Sequence, residues 1–85
     1  MTQTIRIFPM NNNLIGKQIK LARQLHKPRL TQSELATRLQ LEGCPINRNS
    51  IAKIEMGLRQ VTDIEVAKFS KVLDVSIEWL FSGKG

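Results

Sequence analysis

Helix punctuation constrains this chain more than any other feature. Thr31-Gln32-Ser33-Glu34 has the form of a capping box: the Thr31 hydroxyl can accept from the Glu34 amide while the Glu34 carboxylate reaches back to the Thr31 amide. Leu35, Ala36 and Leu39 follow as an apolar stripe at helical spacing. Gly43 then suits the left-handed residue past a helix end, and Pro45 prevents continuation. Asn47 is a good N-cap for the next helix, with Ile51 and Ile54 facing inward and Gly57 closing it. Thr62-Asp63-Ile64-Glu65 repeats the capping box ahead of Ile64, Ala67, Phe69 (or Val66), Val72 and Leu73. Ser76 caps a short last helix through Ile77, Trp79, Leu80 and Phe81. Upstream, Asn12 or Asn13 can cap a first helix with Leu14, Ile15, Ile19, Ala22 and Leu25 on one side, and Pro28 ends it by disfavouring helical backbone at Lys27. Five caps in register with five apolar stripes predict an all-α domain.

From its 85 residues the expectation is one small domain without a separate ligand-sensing domain. No apolar run approaches the roughly 18 residues of a membrane span. A single cysteine, Cys44, excludes an intramolecular disulfide and a cysteine-based zinc site, and fits a reducing cytosol. His26 has no second His, Cys or acidic residue at ligand spacing, and the sequence contains neither a glycine-rich phosphate loop nor paired carboxylates. The expectation is a non-enzyme without metal, cofactor or small-molecule substrate. Charge says more than size. The net charge is +6, and residues 1–61 hold ten basic and three acidic side chains, whereas residues 62–85 hold three and four. A basic front with a near-neutral back fits one face meeting a polyanion, nucleic acid first among the candidates.

Two short helices joined by a turn inside a compact bundle describe a helix-turn-helix. Leu30-Thr31-Gln32-Ser33-Glu34-Leu35-Ala36, followed by Ile46 to Gly57 with its Ile-x-Lys-Ile-Glu-x-Gly pattern, resembles the Xre/Cro-type, lambda-repressor-like DNA-binding domains. Ile19-Lys20 to Arg23 and Val72-Leu73-Asp74-Val75-Ser76 extend the resemblance over residues 14–82. It implies a five-helix bundle in which the third helix enters the major groove by its N-terminal end while the second lies against the backbone.

With Ile51 and Ile54 turned to the core, Arg48, Asn49, Ala52, Lys53 and Met56 lie outward. Arg48 can offer two parallel donors to guanine and Asn49 can pair with adenine. The expected base contacts are Arg48, Asn49, Ser50 and Lys53; the expected backbone contacts are Gln32, Asn47, Arg59 and Gln60. Arg29 and Arg38 are further phosphate candidates on charge alone. The resemblance assigns Arg23 and Glu55 to an ion pair tying the first helix to the third, so neither is expected on DNA.

The chain departs from the family pattern between its helices. Lys27-Pro28-Arg29 lengthens the first link, and Gln40 to Pro45 makes the second about five residues longer than the tight turn usual there. The angle of the third helix is thereby left to packing by Leu39, Ile46 and Ile51. The expected organisation is an N-terminal arm over 1–12, the helix-turn-helix domain over 13–82 and a tail at 83–85. Thr4-Ile5-Arg6-Ile7-Phe8 alternates like a strand, so the arm is read as a flexible end, with strand pairing or a minor-groove role for Arg6 as alternatives. Trp79, Leu80 and Phe81 fit either the core or a dimer seam.

The resulting expectation is a cytoplasmic, bacterial or phage-type transcriptional regulator, nucleoid-associated when bound. It would occupy double-stranded operator DNA as a homodimer, with repression favoured over activation by family analogy. The alternative is a protein-interaction module, an antitoxin or regulatory subunit, built on the same bundle; a non-specific DNA coater is a third reading.

Overall fold

The computed structural model describes residues 12–82. The expected tail, and the expected arm apart from Asn12, lie outside the described residues. Within them the chain forms five helices and no strand: α1 (Asn12–Leu25), α2 (Gln32–Leu41), α3 (Arg48–Glu55), α4 (Asp63–Leu73) and α5 (Ile77–Leu80). The helix starts follow the caps. Thr31 Oγ1 accepts from the Glu34 amide at 3.0 Å and Glu34 Oε1 from the Thr31 amide at 2.8 Å. Thr62 and Glu65 repeat this at 3.2 and 3.0 Å. Asn47 Oδ1 caps α3 through the Ser50 amide at 2.8 Å, and Ser76 caps α5 through Trp79. α1 begins earlier than expected: Asn12 and Asn13 both lie inside it. Three consecutive asparagines at 11–13 give the sequence no means of ranking the start.

Three helices end by one device. After α2, Gly43 takes φ 79°, its N–H donates to the Gln40 carbonyl, and the Cys44 N–H reaches back to Leu39 at 2.9 Å. After α3, Gly57 (φ 76°) and Leu58 do the same with Ile54 and Lys53. After α4 the left-handed residue is Asp74, at φ 57°, with Val75 bonded to Ser70. Each pair of bonds satisfies carbonyls that the helix itself leaves without partners.

The core draws on every helix: Ile15, Ile19 and Ala22 of α1, Leu35, Ala36 and Leu39 of α2, Ile51 and Ile54 of α3, Val66, Phe69 and Leu73 of α4, and Leu80 of α5. Ile64 and Ala67, expected inside, are exposed. The buried row of α4 runs at i, i+3 and i+7 from Val66, which turns Ile64 to the opposite side. Leu25 and Ile77 are likewise largely exposed. Trp79 and Phe81 are half-buried against the core that Leu80 enters.

Two features fix the position of α3. The extended turn is packed: Cys44 and Ile46 are buried in it, and Ile46 N–H bonds the Cys44 carbonyl at 2.8 Å around Pro45. Burial, with the nearby Glu65 carboxylate, pushes the Cys44 thiol above its ordinary value, as befits a structural cysteine. On the other side, α1 crosses α3 backbone to backbone at Gly16. A Cβ there would stand 2.1 Å from the Ile54 carbonyl oxygen. Buried Gln18 ties α1 to the last helix by donating to the Trp79 carbonyl at 2.9 Å.

Candidate nucleic-acid interface

α3 has two chemically distinct sides. Ile51, Ile54 and Glu55 are buried; Arg48, Asn49, Lys53 and, just past the helix, Met56 are exposed, with Ser50 and Ala52 half-buried between them. The one acidic residue of α3 is therefore its inward one. Arg23 Nε donates to Glu55 Oε2 at 2.8 Å and the Arg23 Nη2 to Oε1 at 3.0 Å, while Arg23 Nη1 holds the Leu30 carbonyl at 3.0 Å. Gln32 Nε2 adds a bond to the same Oε1 at 2.9 Å. One buried carboxylate thus gathers α1, the start of α2 and α3, and the guanidinium neutralises it. The Leu30 bond also closes the lengthened link between α1 and α2.

The outward side carries no acid. The side chains of Arg48, Asn49 and Lys53 make no hydrogen bond or ion pair with a described residue. Arg48 occupies the first position of α3, where the helix presents the positive end of its dipole and an acidic side chain would be favoured. A cation in that place gains from an external anion. Arg48 shares an open cleft with Arg29, Gln32 and Ser33 at the start of α2. Arg38, by contrast, lies in a different cleft with Leu41 and Lys71.

Among the expected backbone contacts, Asn47 uses Oδ1 for the helix cap and keeps its NH₂ as a donor. Gln60 is exposed in the loop after Gly57. Gln32 is half-buried and positioned by Glu55, a bond that leaves its amide a second N–H. Arg59 is engaged more fully than its sequence neighbourhood suggested: its guanidinium holds Glu65 by two bonds at 3.1 and 3.0 Å and the Gln60 carbonyl by a third at 3.1 Å. Its hydrogen bonds to Glu65 raise its pKa against burial. Burial pushes the Glu65 carboxyl up, but Arg59 and the Thr62 amide outweigh it and hold the group below its ordinary value.

The structure thus puts Arg48, Asn49, Ser50 and Lys53 on one helix, with Asn47 at its cap, Gln32 beside its buried carboxylate, and Arg59 and Gln60 in the next loop. Sequence reasoning missed the Gln32–Glu55 bond, the Arg59–Glu65 clamp and the Gly16 crossing. A glycine inside a helical pattern was the available signal for the last.

A small helical domain that fixes its third helix from beneath and presents that helix's cations and amides to solvent defines the helix-turn-helix class of DNA-binding regulators. Residues 19–80 match the family model described as helix-turn-helix, of the Xre/lambda-repressor-like kind, and the chain belongs to this family. No curated protein and no solved structure matches significantly. No helix among the described residues is long and apolar enough to cross a membrane.

Proposed function

We propose that this protein is a sequence-specific transcriptional regulator that binds operator DNA as a homodimer, with Arg48, Asn49, Ser50 and Lys53 reading base edges in the major groove. One observation carries the reading: the exposed residues of α3, Arg48, Asn49 and Lys53, are cationic or amide-bearing and their side chains bond no described residue, while the helix's single carboxylate is buried and neutralised. Gln32, Asn47, Arg59 and Gln60 hold the phosphates on either side. For Arg59 this means sharing its guanidinium with Glu65, which fixes its plane, so its contact is a positioning one without base preference. Occupancy of the operator, with no ligand, is the mechanism that these residues supply, and repression is its simplest outcome.

Selection from random-sequence DNA at moderate salt tests the proposal. One site should be enriched, and affinity should fall with salt at a log–log slope of about −0.9 per phosphate neutralised. Arg48→Ala should cost roughly 1–3 kcal/mol of discrimination at one base position, whereas Gln60→Ala should weaken all sequences alike. No enriched site, together with an Arg48→Ala chain that binds like the parent, defeats it. A salt slope without enrichment identifies a non-specific coater.

A further inference from the structure

At one end of the bundle, the last turn of α1 and the α4–α5 connection border an open groove of about 310 Å³. Its lining is mixed: Leu25, which is 59% exposed, and half-buried Val75 and Trp79 stand beside His26, Lys27 and Asp74. Two of these residues carry opposite charges, Lys27 just past α1 and Asp74 just past α4. Both side chains are exposed, and neither forms an ion pair or side-chain hydrogen bond with a described residue.

Asp74 stands where two effects oppose it. Its φ of 57° is a conformation that glycine takes without cost, and the equivalent residues after α2 and α3 are glycines. Its carboxylate also lies at the C-terminus of α4, the negative end of that helix's dipole. A carboxylate held against both effects, and in no ion pair with a described residue, is available to a cation from outside.

We propose that this groove is a homodimer surface, occupied by the same groove of a second copy. The proposal deepens the homodimer reading above and rests on it. A two-fold axis makes every contact reciprocal. Lys27 of each copy then faces Asp74 of the other, and Leu25, Val75 and Trp79 are covered between the two charge pairs. The charge pattern selects this occupant: an acidic partner would meet Asp74 and a basic one would meet Lys27, but a second copy answers both. The cleft at Leu41 lacks this property, since Arg38 and Lys71 border it and its one acid, Glu42, is already paired to Lys71 at 2.8 Å. One end of so small a bundle makes a weak dimer, which adjacent half-sites on DNA hold together.

Sedimentation equilibrium of the full chain without DNA, at low salt, tests the surface. Lys27→Asp and Asp74→Lys each set like charges against one another at both reciprocal contacts, so each variant should self-associate about tenfold more weakly than the parent. Mixed in equal amounts, the first chain supplies two anionic residues and the second two cationic ones, and a heterodimer of parental affinity should form. Asp74→Asn provides a check independent of folding: asparagine keeps the left-handed conformation and removes the charge, so the melting temperature should hold or rise while self-association weakens. A parent that stays monomeric, single variants that associate normally, or a mixture that fails to recover each overturn the proposal. A chain that enriches an operator yet ignores Lys27 and Asp74 loses this surface and keeps its DNA-binding role; one that obeys the charge rule but enriches no DNA keeps the surface and loses that role.

Discussion

Gly16→Ala is the most informative single substitution, because two well-understood effects give it opposite signs. In an exposed helix interior, alanine would stabilise by about 1 kcal/mol over glycine. At Gly16 the new methyl would lie 2.1 Å from the Ile54 oxygen, 3.1 Å from the Ile54 carbonyl carbon and 3.3 Å from that of Glu55. All three are backbone atoms, so no rotamer relieves the contact. To restore ordinary separation, α1 and α3 must move apart by roughly 1 Å, a gap that forfeits up to half of the dispersion energy across the interface. The affected surface is the centre of the core, where Ile15 and Ile19 meet Ile51 and Ile54. The same displacement stretches the Arg23–Glu55 bonds. Overpacking of this kind costs about 1–3 kcal/mol and occasionally more, and with the loosened core the net destabilisation should be about 2–4 kcal/mol despite the gain in helix propensity. For a domain of this size that corresponds to a fall in Tm of roughly 10–25 °C. Urea unfolding should show a lower midpoint at unchanged slope. A Tm equal to or above the parent's would refute the close backbone crossing and, with it, the account of how α3 is fixed.

Two further outcomes follow from the ion pairs. Arg23→Ala leaves the Glu55 carboxylate buried without its counter-charge and should cost about 3–5 kcal/mol in urea unfolding, whereas Arg23→Met combined with Glu55→Leu should recover most of that loss; equal destabilisation by both changes would contradict the pairing. The carboxyls of Glu34, Glu42 and Glu65 are each held below their ordinary 4.5, by the Thr31 amide, by Lys71, and by Arg59 with Thr62 against burial, respectively. Groups depressed in the folded state stabilise it above their unfolded pKa and lose that contribution as pH falls through the folded value. Stability should therefore be flat above about pH 5.5 and decline below about 4.5, and Glu65→Gln should flatten part of that decline; stability that rises on acidification would contradict the assignment.

The caps were legible because capping chemistry is local: Thr31, Asn47, Thr62 and Ser76 each bond an amide three residues on, and three residues of sequence suffice to specify the bond. The outward side of α3 was legible for a similar reason, since Ile51 and Ile54 determine by helical period which residues face away. What escaped depended on partners distant in sequence. Nothing near Gly16 indicates that the carbonyl of Ile54 lies against it, and nothing near Gln32 points to Glu55. Ile64 misled because it is an apolar residue within the capping box that opens α4; the stripe that Val66, Phe69 and Leu73 establish excludes it only once α4 is docked.

The extended turn shows how α3 is held without the tight turn usual in the family. A tight turn sets the angle between α2 and α3 by having no freedom. Here the angle is set by agreement among several contacts: the left-handed Gly43, the burial of Cys44 and Ile46, the Gly16 crossing, and the Glu55 carboxylate that holds α1, α2 and α3 together. Each of these constrains α3 from its inner side. The outer side ties α3 to none of its neighbours, since the side chains of Arg48, Asn49 and Lys53 bond no described residue. Substitutions there should change what the domain binds without changing its stability, and substitutions beneath should do the reverse. That separation is what a DNA-reading surface on a small rigid domain requires.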